Sequence, residues 1–157
     1  MSTKTITIAP VKKSVRVAAS QARAFEVFTS GIDRWWPKKA HVGATTPKSV
    51  TIETRLGGRW YELGADGEET VVGRVLAWEP PHRFVVSWDI DCHWQPDREV
   101  GTEVEVRFIA DGADATRVEL EHRGFERMGE EAGASLRKDV DGGWPGMLDH
   151  FKTEVES

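Results

Sequence analysis

Cysteine is nearly absent from this chain. Cys92 stands alone, so no internal disulfide can form and the fold cannot depend on oxidation. Long apolar runs are missing too. No stretch approaches the roughly 18 consecutive apolar residues of a membrane helix, and no N-terminal segment has signal-peptide character, so a cytoplasmic setting without a membrane span is expected. Positive charge is in deficit: 21 Lys and Arg stand against 26 Asp and Glu, for a formal net charge of -5. Neutralising phosphates requires a concentrated basic face, and here the basic residues are scattered among acids, which argues against a nucleic-acid partner. No phosphate-binding loop, dinucleotide glycine fingerprint, HExxH, GxSxG or zinc-spaced CxxC pair occurs, so no cofactor and no metal is expected. Asp89, Asp91, Cys92 and His93 match no zinc spacing and read as a solvated loop. Cys92 beside His93 in sequence is also not the spatial pairing that activates a thiolate.

Tryptophan, by contrast, is abundant. Seven of the 157 residues are Trp, and since each buries roughly 150 to 250 Å² on packing, their direction decides much of the interior. The length suits one domain with a real core. The expected division is a tail or short strand over residues 1–13, with an alternation at Ile6 and Ile8, and a single domain over 14–157.

Apolar spacing then divides the chain into elements. Val15 and Val17 alternate as a strand. Ser20 is placed to cap a helix from Gln21 to about Thr29 that buries Ala24, Phe25 and Phe28, with Ser30-Gly31 as its stop. A short helical turn over Ile32 to Trp36 ends at Pro37, and Lys38 to Lys48 reads as loop. From Val50 to His122 the pattern is one of short antiparallel strands. Asp66-Gly67 and Asp111-Gly112 mark tight hairpins, and Gly73 marks a bulge or a close approach inside a strand. Residues 91–101 are irregular.

Glu126 to Lys138 is polar and reads as loop or weak helix. Beyond it Trp144, Met147, Leu148, Phe151 and Val155 recur at the spacing of one helical face. Asp139 and Asp141 suit the start of that helix, where carboxylates meet the positive end of the dipole, and Pro145 is expected in its first turn or at a kink. This long element is the one available to cover the sheet, which predicts an α+β architecture.

Certain residues carry a family resemblance. They are Ala19-Ser20 with Ala24-Phe25-Glu26-Val27-Phe28, Trp35-Trp36, Gly57-Gly58-Arg59-Trp60, Asp66-Gly67 with Gly73-Arg74-Val75-Leu76, and Glu79-Pro80-Pro81-His82-Arg83-Phe84 ending in Trp88. Thr116-Arg117-Val118-Glu119-Leu120, His122-Arg123-Gly124-Phe125 and Gly143-Trp144 continue the series. In this order they resemble the SRPBCC/START-like superfamily, in its activator-of-heat-shock-ATPase homologue branch. The resemblance spans Val15 to Val155. It implies a helix-grip fold like that of START and birch-pollen-allergen-like domains: a curved antiparallel sheet, two short helices, and a cavity between the sheet and the last helix. Such folds carry many roles, so activity does not follow from the resemblance.

The expected lining of that cavity is Trp60, Trp88, Phe108, His122, Phe125, Trp144, Met147 and Phe151, which would receive a small hydrophobic or aromatic molecule. The competing reading of the same residues is an ordinary aromatic core. An empty hole of about 300 Å³ would cost on the order of 7 kcal/mol, much of a domain's ~5 to 15 kcal/mol, so such a space holds ligand or water or shrinks. His122, in phase with Val118 and Leu120, faces inward, either to meet a ligand as acid, base or hydrogen-bond partner or to serve as a buried structural histidine. Glu26, Glu53, Glu62 and Asp89 are candidate carboxylates for the cavity mouth. Three functions follow as expectations. The first is binding of a hydrophobic or aromatic small molecule; the second is a chaperone-related protein interaction through an outer surface, as the family's name implies; the third is a cyclase- or lyase-like reaction using His122.

Overall fold

A computed structural model describes residues 7–157; the alternation at Ile6 lies outside them. Seven strands form one antiparallel sheet: β1 (Val11–Val17), β2 (Pro47–Ile52), β3 (Arg59–Gly64), β4 (Glu69–Glu79), β5 (Arg83–Trp88), β6 (Thr102–Ala110) and β7 (Thr116–Arg123). Their order is β1-β7-β6-β5-β4-β3-β2, so every neighbour except β1 and β7 is also a sequence neighbour. The sheet curls into a half-barrel. Two helices complete the fold, α1 (Gln21–Phe28) after β1 and α2 (Glu130–Val155) at the end of the chain, with short 3-10 turns at Ile32–Arg34 and Phe125–Met128. This is the helix-grip arrangement.

Local chemistry accounts for most of these boundaries. Ser20 Oγ accepts from the Arg23 N–H at 3.2 Å and caps α1. Gly67 and Gly112 hold φ of 84° and 82°, the left-handed region that their hairpins need. At Gly73 a Cβ would run into the Ser87 carbonyl, and next to it the β3–β4 register slips by one residue, with Trp60 opposite Gly73 but Tyr61 opposite Val71. Both halves of the bulge expectation are therefore met at one place.

Two boundaries differ from expectation. β1 begins at Val11, so a division at residue 13 cuts through a strand. Lys13 occupies an inward-leaning position of that strand and ion-pairs with Asp141 of α2 at 2.8 Å, which hides the apolar alternation. The last helix starts at Glu130, nine residues before Asp139, with Glu130 and Glu131 in the acidic first turn. Its upstream buried face is Gly133, Leu136 and Val140. Gly133 presses so closely on the Phe125 carbonyl that a Cβ could not fit, and a face made of glycine and single aliphatics draws no visible stripe. Pro145 accordingly sits in the helix interior rather than its first turn.

The interior is aromatic along its whole length. At one end Phe25, Phe28, Phe84, Phe108, Trp35 and Phe151 pack against one another in mixed geometries, edge to face in Phe25–Phe108 at 5.1 Å, tilted in Phe28–Phe151 at 4.8 Å and stacked in Phe84–Phe108 at 6.2 Å. At the other end the indoles of Trp36, Trp60, Trp88 and Trp144 meet at 5.4 to 6.1 Å. The Trp35–Trp36 contact at 5.6 Å joins the two ends. Outside, the convex face of β5, β6 and β7 carries an ionic lattice centred on Glu105. This buried carboxylate accepts from Arg83 Nε at 2.8 Å, Arg107 Nε at 2.9 Å and Arg123 Nη1 at 2.6 Å. Burial pushes its pKa up, but the three guanidiniums outweigh burial and bring it down to about 2.

Candidate functional site

The phenylalanine end of the interior is filled, and the tryptophan end is hollow. A cavity of about 300 Å³ lies between the sheet and the middle of α2. β3 and β5 contribute Trp60 and Trp88, the register break sets Val72 beside them, and α2 contributes Val140, Trp144 and Met147. Trp36, delivered by the 3-10 turn, and Trp94, on the loop after β5, close two further sides, so five of the seven tryptophans wall one space. Exposed Lys39, Asp139, Gly143 and Trp94 stand among the lining residues. The cavity thus opens to solvent, and the cost of a sealed void does not apply to it in full.

The loop at residues 38–46 completes the wall. Glu62, a buried carboxylate on β3, accepts from the backbone N–H of Val42 at 2.7 Å and of Gly43 at 2.8 Å. Asp33 holds the base of the loop by accepting from the Val50 N–H at 2.9 Å. These bonds set Lys39, Ala40, His41 and Val42 against the cavity. His41 Nδ1 lies 2.9 Å from the Gly43 carbonyl oxygen. A carbonyl can only accept, so Nδ1 carries a proton.

His122 behaves differently. Trp144 Nε1–H donates to His122 Nδ1 at 3.2 Å, which leaves the ring proton on Nε2, 3.0 Å from Thr102 Oγ1. Thr102 passes its own proton to the Trp88 carbonyl at 3.0 Å. Every donor and acceptor in this chain is used. Burial lowers the His122 pKa to about 3, so the ring is neutral at ordinary pH.

Of the eight residues expected to line the cavity, Trp60, Trp88, Trp144 and Met147 do so. Four others belong to the core around it. Phe108 and Phe151 face the filled phenylalanine cluster. Phe125 is wholly buried beneath His122, with ring centroids 4.7 Å apart. His122 sits behind Trp88 and Trp144, its two nitrogens already committed. Strand phase told correctly which way these side chains point, but not how far along the interior the hollow extends. Among the candidate carboxylates only Glu62 reaches the wall; Glu26 is exposed, Glu53 pairs with Arg59 at 3.2 Å, and Asp89 is buried against the Ser87 hydroxyl at 3.0 Å.

Of the lining residues outside the expected set, Trp36, His41, Val42 and Trp94 lie on irregular backbone, where spacing carries no direction, whereas Val50, Val72 and Val140 lie on β2, β4 and α2. Trp94 left one signal. It adopts φ 61°, unusual for a bulky side chain, in a turn where Asp91 Oδ1 accepts from the N–H of His93 and of Gln95. Among the described residues, no group of three or more His, Cys, Asp and Glu is placed to hold a metal ion, and no helix is long and apolar enough to cross a membrane.

Two indole groups stand out electrostatically. The N–H of Trp60 and that of Trp88 are buried without a hydrogen-bond partner. Each such donor costs about 1 to 3 kcal/mol; other ring atoms of both residues line the cavity, but the two nitrogens are sealed off from it.

Residues 18–156 match the model of the family described as Activator of Hsp90 ATPase homolog 1-like protein. The chain belongs to that family. Within the Hsp90-ATPase-activator-homologue fold, two solved structures are similar well beyond architecture. The chain is 43% identical to an anthrahydroquino-gamma-pyrone synthase, Txn09, complexed with SUM, with 93% of this chain and 96% of that one covered at a TM-score of 0.65. It is 32% identical to CalC from Micromonospora echinospora, a self-sacrificing resistance protein, with 93% of both chains covered at a TM-score of 0.70. An AHSA1-like protein from Aeromonas hydrophila shares the fold at 20% identity and a TM-score of 0.60, covering 92% of each chain. The comparison with curated proteins gave no match.

Proposed function

We propose that this protein binds one small, planar, polycyclic aromatic molecule in the tryptophan-walled cavity. The observation that carries this reading is the hollow itself: five indoles surround about 300 Å³ of space that opens to solvent, while the rest of the aromatic core is closed. That volume sits at the lower end of the roughly 300 to 1,000 Å³ of small-molecule sites. Edge-to-face indoles favour flat π-systems, which gain offset or T-shaped contacts of about 0.5 to 1.5 kcal/mol each beyond area burial. The relative that is 43% identical is named for a fused aromatic product, which supports the same ligand shape.

A second reading, chemistry on the bound molecule, is favoured by that relative's being a synthase. His122 is not the residue for it, because both ring nitrogens are engaged in the core. The family's name supports a heat-shock ATPase as a protein partner, and the cavity neither requires nor opposes it.

The test is a thermal-shift and indole-fluorescence screen of polycyclic aromatics. A ligand at a hundredfold excess over Kd stabilises the fold by about 2.7 kcal/mol and shifts the tryptophan emission in the same titration. A broad set of aromatics that leaves both the melting temperature and the emission unchanged would sink the reading.

A further inference from the structure

We infer that Gly143 and Trp94 form the entrance of the cavity and select the aromatic molecules it admits: Gly143 by leaving a gap in the wall that α2 supplies, and Trp94 by offering its ring to the part of the ligand that stays at the mouth. The inference rests on the aromatic-ligand reading above and adds to it the residues that read the ligand's size.

Exposure locates the mouth. Among the lining residues Lys39, Trp94, Asp139 and Gly143 are exposed, and every other one is buried or half-buried. Solvent therefore reaches the cavity between the middle of α2 and the two loops that carry Lys39 and Trp94. Lys39 and Asp139 keep their charges in water and can swing aside. Gly143 and Trp94 cannot.

Gly143 answers to no packing need. A Cβ built on it would meet nothing within 4 Å, whereas at Gly133 in the same helix a Cβ would run into the Phe125 carbonyl. Nor does the backbone call for glycine, since the residue lies inside α2 and a glycine weakens a helix relative to an ordinary residue. Val140, Trp144 and Met147 line the cavity on either side of it along the chain. What the glycine does at this place is keep clear the space that a side chain would take.

Trp94 is the reverse case, a large apolar side chain left 41% exposed. Its ring stands edge to face with Trp88 at 6.3 Å. The backbone holds it there at φ 61°, in a turn closed by the Trp94 N–H donating to the Asp91 carbonyl at 3.0 Å and by the two bonds to Asp91 Oδ1. An indole kept part-bare beside an aromatic pocket is a stacking surface. A molecule small enough to sink wholly inside would leave it idle; one that extends out past Gly143 would lie against it. The favoured ligand is thus an extended ring system longer than the hollow itself.

Two probes of different length test this on the intact protein: naphthalene, and N-phenyl-1-naphthylamine, which adds a third ring. Gly143→Ala and Gly143→Leu should melt at or above the wild-type temperature, because both residues are better helix formers and neither meets an obstacle. In stopped-flow fluorescence the association rate of N-phenyl-1-naphthylamine should fall in that order, by about tenfold for the leucine variant. Gly142→Leu is the control: its position is also exposed and unobstructed but does not line the cavity, so the rate should stay at the wild-type value. Trp94→Ala should weaken the longer probe about fivefold and naphthalene by less than about twofold. A lowered melting temperature for Gly143→Ala would overturn the inference by showing that the bare position serves packing. Wild-type association rates in Gly143→Leu, or equal weakening of both probes by Trp94→Ala, would overturn it and leave the aromatic cavity standing. If neither probe nor any compound of the wider aromatic screen binds the wild-type protein, both readings fall.

Discussion

Trp144 on the last helix donates its indole N–H to Nδ1 of His122 on the last strand, at 3.2 Å. This bond ties the helix to the concave face of the sheet and fixes the histidine tautomer. It also places the Trp144 ring against Trp88 at 5.7 Å, where both face the cavity. The grip between helix and sheet and the back wall of the cavity are the same contact.

Trp144→Phe removes the donor and keeps the ring. The buried Nδ1 of His122 is then left unpaired, and a loss of about 1 to 3 kcal/mol is expected, read from urea unfolding. A loss below about 0.5 kcal/mol would mean that the histidine finds another partner and that the bond does not organise the contact.

Acid should weaken the fold through His122. Its folded pKa of about 3 lies below the ordinary 6.5, so the unfolded chain binds a proton that the folded one refuses. Stability from this group is complete above pH 6.5. It falls by up to about 1.4 kcal/mol per pH unit as pH drops toward 3. Asp89, whose carboxyl is pushed up by burial, works with the opposite sign and makes the observed slope shallower. His122→Gln can keep the hydrogen bonds but cannot titrate, so its stability between pH 4.5 and 6.5 should depend less on pH than the wild type's. Identical slopes would contradict the assignment.

Below pH 4.5 a second group adds to this loss. Glu105 has its pKa drawn down to about 2 in the fold, so its contribution is present above the unfolded value of 4.5 and is lost as pH falls toward 2. Glu105→Gln leaves Arg83, Arg107 and Arg123 around a neutral amide. Breaking a buried ion pair from one side costs about 3 to 5 kcal/mol, and chemical denaturation at pH 7 should show it. Raised salt should recover little of that loss, because the carboxylate site is buried.

Phe151 is fully buried between Phe28 and Trp35. Phe151→Ala should cost about 3 to 5 kcal/mol and leave probe affinities in the cavity nearly unchanged, since the ring lies at the filled end. A selective loss of affinity with little loss of stability would place Phe151 in the cavity wall after all.

Much of this architecture was legible in the chain, because strands and amphipathic helices write their buried faces at fixed periods. Thr116, Val118, Leu120 and His122 share one face of β7 in the sequence and in the fold, and all four are buried. The first half of α2 was not legible. Its contact face is led by Gly133, chosen for close approach to the Phe125 backbone, and a missing side chain leaves no apolar mark.

The sequence alone determined the fold class, the inward direction of Trp60, Trp88, Trp144 and His122, and the aromatic character of the interior, since each follows from local spacing and composition. Tertiary structure decided where that interior is full and where it is hollow. The hollow depends on how far the curled sheet stands from α2 at each level and on whether an irregular loop, latched by Glu62, brings Trp36 and His41 to its edge. It also decided that His122 is a buried strut and that His41 stands in the cavity wall. Both are single histidines in one sequence, and only the atoms brought beside them, an indole N–H and a threonine hydroxyl in one case and a lone carbonyl in the other, tell them apart.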